Sequence, residues 1–213
     1  MLENFTTQDF KKQFKENKTV RLTSIGVGAL AVIVLGYFAY MQFMWKPANE
    51  KSKDALFPGL NFAAKDSTDA AINELAMVKK KYDGKNGGEL AQFVLARQYM
   101  TKGEYKKALK ELEGVKLKDT YLSVYTLGLQ GDCYSEMKKY KEALEYYEEA
   151  AAKNENEKTS PEFLFKAGLV AEELGNFEKA TECYTKIKDN YINFSSQKTI
   201  DKYIARVKNK VKK

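Results

Sequence analysis

One long uncharged run and a series of amphipathic stretches divide this chain. From Leu22 to Trp45, 24 residues (LTSIGVGALAVIVLGYFAYMQFMW) carry no charge. As an α-helix rising 1.5 Å per residue the run reaches about 36 Å, enough to cross a ~30 Å hydrocarbon core with some tilt. Tyr37, Tyr40 and Trp45 gather toward its C-terminal end, where amphipathic rings favour the membrane–water boundary. Core helices of soluble proteins rarely run this long without a charge, so the pattern predicts a transmembrane helix. A cleaved signal peptide has an apolar stretch of only ~7–15 residues and a small-x-small cleavage site. This run is longer, follows a 21-residue polar tail, and ends in Met44-Trp45-Lys46-Pro47. The expectation is an uncleaved signal anchor.

Residues 46–65 (KPANEKSKDALFPGLNFAAK) hold two of the three prolines and show little helical period. They read as a tether, able to span up to about 65–70 Å if extended, with a short ordered piece around Leu56 and Phe57. After Asp66 the apolar spacing becomes helical and stays so. Helices are predicted over 67–82, 87–101, 104–114, 119–137, 140–153, 161–174, 177–190 and 196–211. Ser160-Pro161 offers an N-cap and a proline at the first helical position. Asp83–Gly88 and Gly103 mark joins. The last helix carries Ile200, Tyr203, Ile204, Val207 and Val211 on one stripe, suited to closing the end of a stack.

The helical part repeats. KGEYKKAL (102–109), KKYKEAL (138–144) and LGNFEKAT (174–181) each place an aromatic three residues before an alanine. The pairs are Tyr105/Ala108, Tyr140/Ala143 and Phe177/Ala180, and the alanines are 35 and 37 residues apart. A period near 34 with this signature is that of the tetratricopeptide repeat, an antiparallel helix pair. Counted from those alanines, position −12 holds Ala96, Gly131 and Gly168, and position −9 holds Tyr99, Tyr134 and Ala171. Position +4 holds Leu112, Tyr147 and Tyr184, and position +7 holds Val115, Ala150 and Ile187. The expected architecture is all-α: a cytoplasmic tail over 1–21, a membrane helix over 22–45, a linker over 46–65, and a tetratricopeptide solenoid of about three repeats over 66–213.

Composition narrows the chemistry. The chain has no histidine, which removes Ser-His-Asp triads, Cys-His pairs and HExxH zinc sites. Cys133 and Cys183 lie 50 positions apart without a CxxC, and they read as isolated buried thiols rather than a metal or redox pair. No cofactor and no metal are expected, and the chain reads as a non-enzyme.

Charge bears on topology and partners. Lys11, Lys12, Lys15, Lys18 and Arg21 precede the apolar run, and Lys46, Lys51, Lys53 and Lys65 follow it. Five against four favours a cytoplasmic N-terminus. Within the run, Ser24-x-x-x-Gly28 is a small-xxx-small pair that would let another membrane helix approach. From Ser196 onward Lys198, Lys202, Arg206, Lys208, Lys210, Lys212 and Lys213 face only Asp201. No nucleic-acid motif accompanies them, so they read as solvated lysines on a capping helix and no nucleic acid is expected as a partner.

An N-terminal anchor, a tether and a small tetratricopeptide domain with KAGLVAEELGNFEKA and TIDKYIAR segments together resemble the bacterial YfgM-type ancillary translocon subunits, over nearly the whole chain. The resemblance implies a single-pass inner-membrane protein whose periplasmic domain associates with the protein-translocation channel and passes emerging chains to periplasmic chaperones. A scaffold for envelope assembly or cell division without a translocon role is the alternative. The family has no catalytic residues to carry over.

Tetratricopeptide domains bind peptides on the face built by the first helix of each pair. The corresponding positions are Leu90, Phe93, Arg97 and Met100, then Tyr125, Gly128, Asp132, Ser135 and Glu136, then Glu162, Phe165, Leu169, Glu172 and Glu173. Phe93, Tyr125 and Phe165 are expected to form an aromatic floor with an acidic rim. The face is either open to a peptide or filled by the helix at 67–82 or a neighbour. Repeats that grip a chaperone's C-terminal carboxylate use lysine and asparagine at the inner positions. Here only Arg97 could pair with a carboxylate, which argues against a cytosolic import receptor.

Overall fold

The computed structural model describes residues 6–116 and 119–211, and these form helices and connecting turns only. Lys212 and Lys213 of the basic C-terminal group lie outside the described residues. The chain divides into two units, Met1–Lys51 and Ser52–Lys213.

In the first unit, α1 (Thr7–Glu16) opens on a capping box. The Thr6 side chain accepts from the Asp9 N–H, and the Asp9 carboxylate accepts from the Thr6 N–H. The Thr6 hydroxyl, which donates to the Asp9 carboxylate at 2.6 Å, and then the Thr6 N–H hold the Asp9 carboxyl below its ordinary pKa. Helix α2 (Lys18–Tyr40) carries most of the uncharged run and has no buried residue. It passes into a π-helical turn, Met41–Trp45, where the Lys46 N–H donates to the Met41 carbonyl. Pro47 follows directly. A proline in a helix clashes with the carbonyl four residues back, here that of Phe43, and the wider turn relieves that crowding.

The segment expected to be a tether is helical: α3 spans Lys46–Ala64 despite Pro58 inside it. An interior proline costs roughly 3 kcal/mol, so packing must more than offset it. Leu56 is buried, and Ala55, Leu60 and Ala63 pack with it against Ala71, Leu75 and Val78 of α4 (Thr68–Lys81). The Gly87 N–H donates to Ser52 Oγ at 3.0 Å, tying the start of this half of α3 to α5 (Asn86–Thr101).

Helices α3 and α4 are a fourth hairpin in the same register as the other three. Those are α5 with α6 (Tyr105–Gly114), α7 (Thr120–Glu136) with α8 (Tyr140–Lys153), and α9 (Thr159–Glu173) with α10 (Phe177–Asn190). Ala71 stands 37 residues before Ala108, and all four alanines are fully buried. Twelve positions earlier Gly59 faces Leu75, as Gly131 faces Tyr147 and Gly168 faces Tyr184. Each hairpin turns through a left-handed residue five positions before the alanine: Asp66, Gly103, Lys138 and Gly175. The following N–H donates back to the −9 carbonyl each time: Ser67 to Phe62, Glu104 to Tyr99, Lys139 to Tyr134 and Asn176 to Ala171. This is the six-to-one bond of the Schellman motif.

Lys138 occupies the left-handed position at φ 59°, a conformation that costs a side-chain-bearing residue about 1–2 kcal/mol. Glycine avoids that cost but has more freedom to lose on folding. Lys138→Gly should therefore raise stability by about 0.5–1 kcal/mol in a urea melt; a destabilised variant would mean the turn is not held in this geometry.

Two helix starts differ from the sequence expectation. Helix α9 begins at Thr159, two residues early, because Asn156 accepts from the Lys158 and Thr159 N–H groups through its side chain. The closing segment is two helices, α11 (Ile192–Lys198) and α12 (Ile200–Val211), broken at the left-handed Thr199. Ile200, Ile204 and Val207 are buried against α9 and α10, whereas Val211 is exposed.

Candidate functional site

The first helices of three successive hairpins, α5, α7 and α9, present one shared pocket of about 340 Å³. Phe93, Leu122, Tyr125, Leu129 and Phe163 supply its apolar surface, and Arg97, Asp132, Glu162 and Lys166 supply its charges. Register explains the packing. Position −15 abuts the next first helix: Phe93 is buried beside Tyr125 and Leu129 of α7, while Gly128 leaves room that the Phe163 ring of α9 fills. Phe163 stacks at 6.5 Å on Tyr147 and meets Tyr125 edge-on at 5.7 Å.

The polar groups are partly committed. Asp132 accepts from the Tyr147 hydroxyl at 2.6 Å and from Lys166 at 2.8 and 3.0 Å. Lys166 also lies over the Tyr147 and Phe163 rings. The Tyr125 hydroxyl donates to Glu162 at 3.3 Å, and burial, with the Glu162 charge second, pushes its pKa up. Arg97 is exposed and among the described residues makes no ion pair. The pocket thus offers an apolar surface, one rotatable phenol and one uncommitted guanidinium.

The other expected groove residues lie in neighbouring hollows. Met100, Ser135 and Glu136 line a second hollow that also contains Asp132. A third, reached through Ser135, contains Leu169, Glu172 and Glu173. Glu172 is not a free acidic rim: its carboxylate, 8% exposed, accepts from the Tyr184 hydroxyl and pairs with Arg206 and Lys210 of α12. The Arg206 pKa is raised by that bond to Glu172. Two of the basic residues near the C-terminus are therefore structural fasteners of the capping helix. Leu90 packs between two core clusters.

Phe165 lies outside the first pocket. It packs 6.2 Å from Phe194 and 4.9 Å from Tyr203, with Lys198 over its face, so α11 and α12 cover it. Phe163, Leu122, Leu129 and Lys166 also line the pocket, although the repeat register alone did not point to them. The available signal was complementarity: a glycine at −15 in the second unit beside a phenylalanine at −17 in the third.

Ser24 and Gly28 lie on α2, and a Cβ added at Gly28 would meet nothing. Cys133 and Cys183 are buried free thiols. Burial first, and neighbouring carboxylates second, push both to about 12, so neither is a thiolate nucleophile near neutral pH. Among the described residues no group of three His, Cys, Asp or Glu could hold a metal ion.

Stacked antiparallel helix pairs that line up their first helices along one face define a helical-repeat protein of the class that mediates protein–protein interaction. A family model for the tetratricopeptide repeat-like domain matches residues 11–127 and 61–172, and a tetratricopeptide repeat model matches residues 162–191. The chain belongs to the tetratricopeptide repeat-like domain family, whose members are typically non-enzymatic scaffolds.

Solved structures share the fold. MamA is 23% identical, with a TM-score of 0.54 over 72% of this chain and 94% of its own. A tetratricopeptide repeat protein from Parabacteroides merdae is 16% identical, with a TM-score of 0.56 over 76% of this chain and 65% of its own. The apo form of RapI is 16% identical, with a TM-score of 0.57 over 94% of this chain and 73% of its own. No curated protein matches the chain. Among the described residues one helix, Lys18–Ala64, contains a stretch long and apolar enough to cross a membrane by length and composition.

Proposed function

We propose that the chain is a membrane-anchored adaptor whose α5–α7–α9 pocket receives an apolar side chain from a segment of a partner protein. The observation that carries this reading is the pocket itself, with Arg97 exposed and Tyr125 half-buried at an apolar surface and nothing from α4 filling it. Anchoring is supported by α2, whose apolar side chains are exposed rather than packed as in a core helix. In this reading the N-terminus is cytoplasmic, the repeat domain is periplasmic, and the partners are translocation-channel subunits and periplasmic chaperones. That assignment rests on the resemblance to YfgM-type proteins. A scaffold for envelope assembly or division is the second reading of the same pocket.

The test is capture from membranes in mild detergent, read by mass spectrometry, with wild type and a Tyr125→Ala/Arg97→Glu variant. Arg97 is exposed and Tyr125 is half-buried against Phe163, so the double variant is read beside Arg97→Glu alone, whose melting curve should stay close to wild type. Partner recovery should fall by about 30-fold or more if these are hot-spot contacts worth about 2 kcal/mol together. Loss of translocon subunits supports the first reading, and loss of division or outer-membrane factors supports the second. Undiminished capture would mean the pocket is not the binding site.

A further inference from the structure

Helix α1 carries positive charge, and its structure adds a second property. Phe10 and Phe14 lie one turn apart on one side of the helix, with ring centroids 6.1 Å apart, and Phe10 is 44% exposed. Lys11 and Lys15 form the adjoining stripe at the same spacing, whereas Lys12 stands on the opposite face, and all three are exposed. An exposed apolar stripe bordered along one side by lysines is the pattern of a helix lying in a membrane interface.

The connection to α2 is built as a corner. Asn17 leaves helical geometry at φ −106°, ψ 109°. Its N–H closes α1 on the Gln13 carbonyl, while its side chain accepts from Thr19 and Val20 to open α2. The uncharged run begins at Leu22, four residues after α2 starts, or about 6 Å along the helix. That offset is the depth of lipid headgroups. Lys18 and Arg21 add charge within it, and only Asp9 and Glu16 oppose these five cations in α1 and the first turn of α2.

We propose that α1 docks on the anionic surface of the bilayer that α2 crosses, with Phe10 and Phe14 at the acyl boundary and Lys11 and Lys15 among the phosphates. The inference rests on the membrane-anchor reading above. Docked in this way, α1 fixes where the span begins and makes the anchor sensitive to the charge of its own leaflet.

Trp45 is the sole tryptophan, so Trp45→Phe/Phe14→Trp in the full chain puts one emitter on α1. The chain is placed in nanodiscs of phosphatidylcholine alone, or with a quarter phosphatidylglycerol, each with and without bromine-labelled acyl chains. The expected result is a blue-shifted, bromine-quenched emission in phosphatidylglycerol discs that weakens in high salt, because exposed charges are then screened. Adding Lys11→Gln and Lys15→Gln should lower the docked-to-free ratio by up to about 25-fold, at about fivefold per basic residue near an anionic surface. A chain that inserts but shows the same unquenched emission in both lipids overturns the docking and leaves the anchor standing. A chain that does not enter the discs at all overturns both.

Discussion

Phe163→Ala should cost the repeat unit about 3–5 kcal/mol, the range for losing a buried phenylalanine. For a unit of this size that corresponds to a melting temperature about 6–20 °C lower. The ring is 1% exposed and occupies the space left by Gly128, with Tyr125 and Tyr147 against it. These neighbours come from α7 and α8, so the vacated volume cannot close without moving two helices. A thermal melt of the full chain in detergent, followed by circular dichroism, checks this. A shift of only a degree or two would mean that the junction between the α7–α8 and α9–α10 hairpins is not packed through Phe163. Arg97→Glu alone provides the contrast, since it alters the same pocket at an exposed side chain.

Gly131→Leu should be the other severe substitution. A Cβ at position 131 would stand 2.7 Å from the Tyr147 ring. Tyr147 cannot swing away freely, because its hydroxyl is held by Asp132 and its face is stacked on Phe163. Overpacking of this kind costs roughly 1–3 kcal/mol and occasionally more. Gly131→Ala should be milder, because alanine's better helix propensity returns up to about 1 kcal/mol. Urea melts of the two variants should rank wild type above alanine above leucine. Equal stability of leucine and wild type would refute the close approach of α7 and α8 and with it the register.

These two positions differ in how far the sequence exposed them. Gly131 was legible because it repeats: Gly168 stands at the same distance before its alanine, and a helix pair tolerates only a small residue where the partner's ring crosses. The boundaries of α4 through α10 were legible to within two residues for the same reason, since apolar period and turn residues are local properties of the chain. The uncharged run announced α2 by its length.

The fourth hairpin carried the same marks, Gly59, Ala71 and Leu75, but Pro47 and Pro58 masked them. Local preference argues against a helix with an interior proline, and only the burial of Leu56 and its neighbours against α4 and α5 outweighs that preference. The break at Thr199 was also hidden, because a single left-handed residue leaves the apolar stripe of α12 intact.

The amino-acid sequence by itself determined the repeat, its register, the lack of imidazole chemistry and the uncharged run, all of which are properties of spacing and composition. Tertiary structure decided which side chains meet. Phe93, Gly128 and Phe165 hold equivalent positions, yet each meets a different neighbour: α7 beside Phe93, the Phe163 ring over Gly128, and the closing helices over Phe165. It also decided which charges are committed, since Glu172 and Asp132 read as free acids until Arg206 and Lys166 arrive from 34 residues away. Periodicity fixes what lies on a face, but the contents of that face depend on the volume and charge brought by the next helix in the stack.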